Sequence, residues 1–384
     1  MHFIFALYKY FPFGGLQKDT LRMAEEARSR GHHCTFFTTE WQGTPPAQMD
    51  LHLVEANGWT NFGKMLHFEK LLKQFLHDTP HDASLAMNRF AGCDWYFVAD
   101  YCQATWLPHL HSRLMLMLNP RYRAYLAMER RIFQPGSPQK ILYITPSQMT
   151  EYQKAYGTEP ERFFLLPPGM NPACVRPADA EERRLQARQK LGLAKDEILL
   201  CNIGANLAVK GGARSLEMFA SLPRAWKERC RLLLVGEAGT LPELAQRLGI
   251  SERCFFPGTS TEVPSFLLAS DLMVHPAIQE PTGTILIEGI AAGIPVVCSQ
   301  VCGFENYVRA ASGRVVPEPF SPERFRELTI DALQHLPELT RLDREYAAKT
   351  DFTSRARVAI DLLEHTHDTT WLASQAIQLR NPNA

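Results

Sequence analysis

Two glutamates, Glu280 and Glu288, stand with seven residues between them. Pro281 and Gly283 interrupt regular structure, so the sequence predicts a loop at Glu280 and a helix that begins near Thr284, with Glu288 about one turn inside it. The N-terminus of a helix carries partial positive charge that favours a diphosphate. Because carboxylates accept hydrogen bonds from paired hydroxyls, the spacing predicts a site where Glu280 binds a sugar and Glu288 a ribose. A capping acid and a solvated glutamate are the alternative.

Three further residues could bind a phosphate group. Lys210 follows a predicted strand and could neutralise a diphosphate as a mobile point charge. Gly14 and Gly15 open the first predicted helix, where backbone N–H groups can approach a phosphate closely. An ordinary surface lysine and a tight turn are the alternatives. The chain has neither G-x-G-x-x-G nor G-x-x-x-x-G-K-[ST], so dinucleotide oxidoreductases and P-loop enzymes are not favoured.

The elements that must position these residues alternate between strands and helices. The opening stretch has the order strand, glycine turn, helix, glycine and strand, which is typical of a parallel βαβ unit. A proline-rich hinge at 165–172 separates it from a second alternating stretch. The sequence therefore predicts an α/β protein with two doubly wound parallel sheets, in domains 1–167 and 168–355, and a helical tail, 356–384, whose packing partner stays open. The predicted strands are 3–7, 33–37, 95–99, 141–145, 198–203, 231–235, 254–256, 272–275, 295–298 and 314–316.

Composition excludes several classes of protein. Lys plus Arg and Asp plus Glu each number 41 in 384 residues, so no net positive charge favours a nucleic-acid partner. Nine cysteines without a C-x-x-C pair, and histidine pairs without ligand spacing, give no metal site. The start lacks a basic leader and a cleavage site, and the densest apolar run outside predicted strands, 114–118, is far shorter than the ~20 residues of a membrane span. We expect a cytoplasmic protein.

The segment 103–131 differs from the rest of this neutral chain. It contains one acid, Glu129, and five basic residues among apolar and aromatic ones. A basic amphipathic segment can lie in the headgroup layer of an anionic membrane, where each Lys or Arg adds about 1 kcal/mol. An ordinary surface helix with its apolar stripe in the core is the alternative. The basic residues are Arg113, Arg121, Arg123, Arg130 and Arg131.

The sequence also resembles a known family. The E-x7-E pattern of Glu280 and Glu288 is similar to that of retaining family 4 glycosyltransferases, which have the GT-B fold of two Rossmann-like domains facing each other across a cleft. Four segments more specifically resemble the lipopolysaccharide core glucosyltransferase I family. They are Leu7–Gln17 (LYKYFPFGGLQ), Ala99-Asp100 followed by Cys102, Leu166–Gly169 (LPPG) and Val301–Gly303 (VCG).

The resemblance implies that the protein transfers a hexose from a UDP-sugar, with retention, to a heptose of the lipopolysaccharide inner core. It implies peripheral association with the cytoplasmic face of the inner membrane, and neither a metal nor a cofactor. Asp100 would orient the acceptor hydroxyl, Asp19 would face the sugar, and Glu280 would bind the donor sugar, which makes these three the catalytic candidates. The UDP-sugar would be bound by Gly14, Gly15, Lys210, Glu280, Gly283, Thr284 and Glu288.

Two departures from the family keep alternatives open. Val209 stands where many relatives have an arginine, and Phe304–Asn306 replaces an aromatic-Ala-His triplet. UDP-glucose is the expected donor, and UDP-N-acetylgalactosamine or another UDP-sugar is the alternative. A non-catalytic membrane adaptor that binds nucleotide sugars, and a nucleotide-sugar epimerase of the same fold, are the rival functions.

Overall fold

The computed structural model describes residues 1–12, 14–47 and 49–380, without the side chains of Arg113 and Arg380. Phe13 of the opening motif and the side chain of Arg113 in the basic segment therefore lie outside the described parts. The chain forms two compact units: unit 1 is 1–169 with 354–384, and unit 2 is 170–353. The unit boundaries differ by two residues from the predicted 167/168 and 355/356.

The first part of unit 1 alternates strands and helices, with several helices after the fifth strand. The strands are β1 (His2–Ala6), β2 (His33–Thr38), β3 (Asp50–Leu53), β4 (Ala83–Ala86), β5 (Trp95–Phe97), β6 (Lys140–Tyr143) and β7 (Phe163–Leu165). The helices are α1 (Gly15–Ser29), α2 (Asn61–Asp78), α3 (Gln103–Leu110), α4 (Arg113–Leu118), α5 (Pro120–Phe133) and α6 (Pro146–Tyr156).

Unit 2 repeats the alternation. Its strands are β8 (Ile198–Asn206), β9 (Cys230–Glu237), β10 (Cys254–Gly258), β11 (Leu272–His275), β12 (Val296–Ser299) and β13 (Arg314–Val316). Its helices are α7 (Ala180–Lys190), α8 (Gly212–Ala220), α9 (Arg224–Lys227), α10 (Leu241–Arg247), α11 (Val263–Ala269), α12 (Thr284–Ala291), α13 (Glu305–Ala310), α14 (Pro322–Gln334) and α15 (Leu336–Ala347).

The tail returns to unit 1 as two helices, α16 (Arg355–Glu364) and α17 (Thr369–Arg380). Arg30 at the end of α1 donates to Asp361 on α16 at 2.6 Å. The indole Nε1 of Trp95 on β5 donates to Thr366 Oγ1 at 2.9 Å. The tail therefore completes unit 1, a packing that the sequence left open.

All strand pairs in the two sheets are parallel, which confirms the predicted fold class. The strand order is β3-β2-β1-β4-β5-β6-β7 in unit 1 and β10-β9-β8-β11-β12-β13 in unit 2. Each order reverses once, between β1 and β4 and between β8 and β11. Open parallel sheets bind ligands outside the carboxyl ends of their strands at such a point, so the loops after these four strands are where a site is expected.

Three strands escaped the sequence prediction, and β5 is two residues shorter than predicted. β4 has the sequence ASLA, in which small residues give little strand signal although all four are buried. β3 lies at the edge of the sheet and is largely exposed, so it lacks a hydrophobic pattern. β7 ends just before Leu166 and the following prolines, which fits an edge strand next to residues that cannot donate to a ladder.

Candidate functional site

Lys210, Glu280 and His275 meet at the carboxyl edge of the sheet in unit 2. Lys210 follows β8, and the other two lie at or just after the end of β11. The Lys210 ammonium lies 2.6 Å from Glu280 Oε2, and His275 Nε2 lies 3.4 Å from the same oxygen. The structure thus places the predicted Lys210 and Glu280 in direct contact at the point where the strand order reverses.

The backbone around Lys210 explains this contact. Gly211 has a φ of +76°, and a Cβ there would lie 2.1 Å from the carbonyl oxygen of Pro276, so only glycine permits this approach. Ile278 N–H donates to Val209 O at 2.9 Å, which ties the turn before α8 to the loop after β11. Asn202 Nδ2 donates to Lys210 O at 3.1 Å and fixes the turn from below.

Glu280 is an ionised carboxylate in a buried position. The residue is 7% exposed. Burial alone raises the pKa of a carboxyl group, but the hydrogen bond from His275 and the charge of Lys210 outweigh it and lower the pKa of Glu280 to about 2. Its backbone carbonyl accepts from Gly303 N–H at 3.0 Å, which holds the loop against the segment after β12. Both side-chain contacts that the described residues make with Glu280 are to Oε2, which leaves Oε1 able to accept a further hydrogen bond.

The helix after this loop begins at Thr284, as predicted, with Gly283 as its N-cap. Gly283 has a φ of +86°, a conformation that favours glycine. Glu288 lies one turn inside α12, where its Oε1 accepts from Asn171 N–H at 3.2 Å. The structure therefore places Glu280, Gly283, Thr284 and Glu288 on one loop and the first turns of one helix.

In unit 1, Gly14 is the N-cap of α1 and Gly15 its first residue. A Cβ at Gly14 would lie 1.8 Å from Gln17 Oε1, whereas a Cβ at Gly15 would have no atom of the described residues within 4 Å. The first N–H groups of a helix have no partner inside the helix. None of the described residues fills the space beside Gly15, so a group that accepts from these donors can approach there as far as this part of the chain is concerned.

Asp19 on α1 is engaged by a buried arginine. Arg355, at the start of α16, is 4% exposed and lies 2.8 Å from Asp19 Oδ2. Arg355 Nε also donates to Pro167 O at 3.1 Å. Arg355 thus ties α16 to α1 through the ion pair, and to the segment at Pro167 through its Nε hydrogen bond.

Asp100 lies three residues after β5, and its side chain is 61% exposed. Its Oδ2 is 3.3 Å from the guanidinium of Arg89, which follows β4. β4 and β5 are neighbouring parallel strands, so their carboxyl ends lie at the same edge of the sheet. Asp100 is therefore an accessible carboxylate beside a cation.

Sequence reasoning missed His275, Arg355 and Arg89. His275 ends a strand that the sequence did predict, so its place at the carboxyl end of β11 was a usable signal. Arg89 follows the unpredicted β4, and Arg355 lies at the start of a tail whose packing the sequence left open. Within the described residues, no three His, Cys, Asp or Glu side chains come close enough together to bind one metal ion.

The basic segment 103–131 forms α3, α4 and most of α5. Met117 and Leu118 on α4 are 70% and 69% exposed. Two of its charges are engaged with the core, which the sequence did not reveal: Glu129 is fully buried, and the half-buried Arg131 lies 3.1 Å from the buried Glu69. Among the described side chains, the exposed surface of the segment is thus apolar on α4 and basic on α5. No helix in the described ranges is long and apolar enough to cross a membrane.

Comparison with known proteins gives a consistent result. A profile of the family described as Glycosyl transferases group 1 matches residues 183–350, which lie in unit 2. The lipopolysaccharide glucosyltransferase WaaG of Escherichia coli (strain K12) is 36% identical over 365 residues, or 94% of this chain and 97% of that protein. A D-inositol 3-phosphate glycosyltransferase of Segniliparus rotundus is 31% identical over 52% of this chain and 44% of its own length.

Solved structures show the same relationship. The crystal structure of WaaG, described as a glycosyltransferase involved in lipopolysaccharide biosynthesis, matches with a TM-score of 0.84, 36% identity, and coverage of 94% of this chain and 99% of that one. Anabaena HepE in complex with UDP and glucose matches with a TM-score of 0.70 at 17% identity, over 95% of this chain and 99% of that one, which supports the fold alone.

Proposed function

The chain belongs to the lipopolysaccharide core glucosyltransferase I family of GT-B glycosyltransferases, and from this we propose that it transfers a hexose from UDP-glucose to a heptose of the lipopolysaccharide inner core. The enzyme class and the part in lipopolysaccharide core synthesis follow from the family. The donor, the heptose acceptor and the residue roles are our proposal. The contact of Lys210 with Glu280 at the edge of the sheet in unit 2 is the observation that carries it.

Unit 2 is proposed to bind the donor. A lysine ammonium has three donors, so Lys210 can keep its bond to Glu280 and still bind a diphosphate oxygen. Glu280 Oε1 would accept from a hydroxyl of the sugar, and Glu288 from the ribose. The N-terminus of α12, with Gly283 and Thr284, adds partial positive charge beside the diphosphate.

The proposed reaction breaks the bond between the anomeric carbon and the diphosphate oxygen and forms a bond to the acceptor oxygen on the same face. The departing diphosphate takes the proton of the acceptor hydroxyl, so the products are UDP and the glycosylated acceptor. The protein supplies positioning and charge stabilisation. Lys210 provides the positive charge that a divalent cation would otherwise supply, so we expect no metal and no cofactor.

Unit 1 is proposed to act on the acceptor side. The exposed carboxylate of Asp100 would accept a hydrogen bond from the acceptor hydroxyl and orient it. The helix start at Gly14 and Gly15 would donate to a phosphate oxygen of the donor. Asp19 would contribute through its ion pair with Arg355, by fixing α1 and with it these two glycines.

The basic segment is proposed to hold the enzyme on the cytoplasmic face of the inner membrane as a peripheral protein. The exposed apolar side chains of α4 would enter the headgroup layer of anionic lipid, and the exposed arginines of α5 would bind lipid phosphates. Exposure of Met117 and Leu118 supports this use of the segment, because a single short helix rarely leaves such large apolar side chains in water without a partner. The exposed arginines are Arg121, Arg123 and Arg130.

The test is transfer by purified protein with a panel of UDP-sugars and a heptose-containing core acceptor, with UDP release and acceptor mass read together. We expect a mass gain of one hexose with UDP-glucose. Gain with UDP-N-acetylgalactosamine instead would keep the reaction and replace the donor. UDP-sugar binding without transfer would favour the adaptor, and a new sugar nucleotide formed without acceptor would favour the epimerase.

Lys210→Ala is the matched site variant, and Lys227→Ala, a lysine of unit 2 that contacts the carbonyl of Ala220, is its control. We expect the first to raise the KM for the UDP-sugar at least tenfold and the second to leave it unchanged. Equal kinetics in both variants would remove Lys210 from the proposed donor site.

A further inference from the structure

We propose that Arg89, itself held by the buried carboxylate of Glu129, is the positioning residue for Asp100. The inference rests on the proposed function, since it gives Asp100 its orientation toward the acceptor hydroxyl. It assigns no direct contact with substrate to Arg89. What it adds is a chain of three charged residues that starts in the core of unit 1 and ends at an accessible carboxylate.

Glu129 is the fixed end of this chain. Glu129 lies on α5 and is fully buried. One carboxylate accepts from Arg89 Nε at 3.2 Å, from the backbone N–H groups of Gln103 and Ala104 at 2.9 and 3.1 Å, and from Tyr156 Oη at 2.7 Å. A buried carboxylate with this many donors from four positions cannot rotate without losing several bonds.

Arg89 carries that rigidity outward. Its side chain is 14% exposed, and its planar guanidinium presents donors in a fixed fork. Nε faces Glu129, one terminal nitrogen donates to Tyr101 O at 2.7 Å, and the other lies 3.3 Å from Asp100 Oδ2. Because two of the three guanidinium nitrogens are already bound, the orientation of the third nitrogen, which faces Asp100, is fixed.

Asp100 depends on this cation for its orientation. At 61% exposure, little packing restricts its side-chain rotamer. An ion pair between two mobile exposed side chains contributes little, because both must be ordered to form it. Here one partner is already ordered, so the interaction has to restrict Asp100 alone.

The Glu129 carboxylate also fixes the backbone that follows Asp100. Gln103 and Ala104 are the first residues of α3, so Glu129 caps this helix while it holds Arg89. The loop 100–102 is thereby held at both ends, by Arg89 at Asp100 and Tyr101 and by Glu129 at the start of α3. A loop that served only to connect β5 to α3 would not need both of its ends to be bound, directly or through Arg89, by Glu129.

The test is a double-mutant cycle with Arg89→Gln, Asp100→Asn and the combination, assayed for kcat at saturating UDP-sugar and acceptor. We expect Arg89→Gln to lower kcat about tenfold, since a small displacement of a positioning group reduces the rate sharply. Asp100→Asn should lower it further, and the double variant should match Asp100→Asn within twofold, because Arg89 acts through Asp100. Arg89→Lys, which keeps the charge without the fork, should recover only part of the loss.

Arg162→Gln is the control for a structural effect. Arg162 is 11% exposed and binds Glu159 and the carbonyls of Gln134 and Gln139. It directly precedes β7, so it lies at the amino edge of the sheet, whereas Asp100 lies at the carboxyl edge. We expect Arg162→Gln to lower Tm without changing kcat at a temperature where the variant stays folded. Combined with Asp100→Asn, it should leave kcat at the value of Asp100→Asn, and the effects of the two substitutions on Tm should add.

Two results would overturn the proposals separately. If Asp100→Asn lowers kcat but Arg89→Gln does not, or if the double variant loses the product of both factors, Arg89 is not the positioning residue and the role of Asp100 stands. If Asp100→Asn leaves kcat unchanged in an enzyme that transfers sugar, the proposed role of Asp100 fails, and the positioning role of Arg89 fails with it.

Discussion

Replacing Glu280 by glutamine should destabilise unit 2 by a predictable, pH-dependent amount. The pKa of Glu280 falls from an ordinary value of 4.5 to about 2 in the folded chain. One pKa unit corresponds to about 1.4 kcal/mol, so the ionised carboxylate stabilises the folded state by about 3 kcal/mol at pH 7. Glutamine keeps the size of the side chain but not the charge that Lys210 faces.

The sign of the pH dependence follows from the lowered pKa. The unfolded chain binds a proton at Glu280 more readily than the folded chain does, so this stabilisation is fully present above the unfolded pKa of 4.5 and is lost as pH falls toward 2. The difference in unfolding free energy between wild type and Glu280→Gln should therefore shrink from about 3 kcal/mol at pH 7 to about 2 kcal/mol at pH 3.5.

Urea unfolding read by hydrogen–deuterium exchange of peptides that cover β11 and α12 isolates unit 2 from unit 1. Glu252→Gln, at an exposed position of the same unit, is the control and should cost less than about 0.5 kcal/mol at both pH values. If Glu280→Gln costs no more than the control, or if its cost stays constant from pH 7 to pH 3.5, the electrostatic account of Glu280 is refuted.

Three other features can each be tested by substitution. Asp343 is buried with no partner for either oxygen within the described residues, and burial raises its pKa, so stability should fall as pH rises above 3.8 and Asp343→Asn should raise Tm at pH 8 but not at pH 4. His275→Leu, which removes the donor to Glu280, should raise the KM for the UDP-sugar several-fold in steady-state kinetics. His275→Gln, which keeps a donor, should have a KM close to that of the wild type. Met117→Ser with Leu118→Ser should reduce sedimentation with anionic vesicles and leave transfer to a detergent-solubilised acceptor unchanged; equal sedimentation would contradict the proposed membrane role of α4.

The site in unit 2 could be predicted because its parts are local in sequence. A proline, a glycine and a following apolar run place Glu280 in a loop and Glu288 in a helix without any knowledge of the sheet. The pairing of Lys210 with Glu280 was not predicted in the same way, since it depends on β8 and β11 being neighbours although 65 residues separate the end of β8 from the start of β11. The doubly wound order supplies that neighbour relation, and Gly211 supplies the close approach.

Unit 1 was harder to interpret because its charged residues meet from distant elements. Glu129 belongs to α5, Arg89 follows a strand without strand-forming residues, and Asp100 follows the next one. In the sequence, Glu129 looked like the lone acid of a basic surface segment. Its burial reverses that reading, because a buried glutamate needs donors and here takes them from Arg89 and the start of α3.

The resemblance implied roles at the reaction for both Asp19 and Asp100, and their surroundings now separate them. The Asp19 side chain is 15% exposed, and its Oδ2 is bound by Arg355, which is itself buried. Moving Asp19 toward a substrate would leave a buried cation unpaired, which is strongly unfavourable. Asp100 is 61% exposed and lies beside Arg89, whose other nitrogens are already bound. It can therefore accept a hydrogen bond from a hydroxyl group without breaking its contact with Arg89. Of the two aspartates, Asp100 is therefore the one whose surroundings fit the proposed contact with an acceptor, and loss of Asp19 should act through the stability of α1.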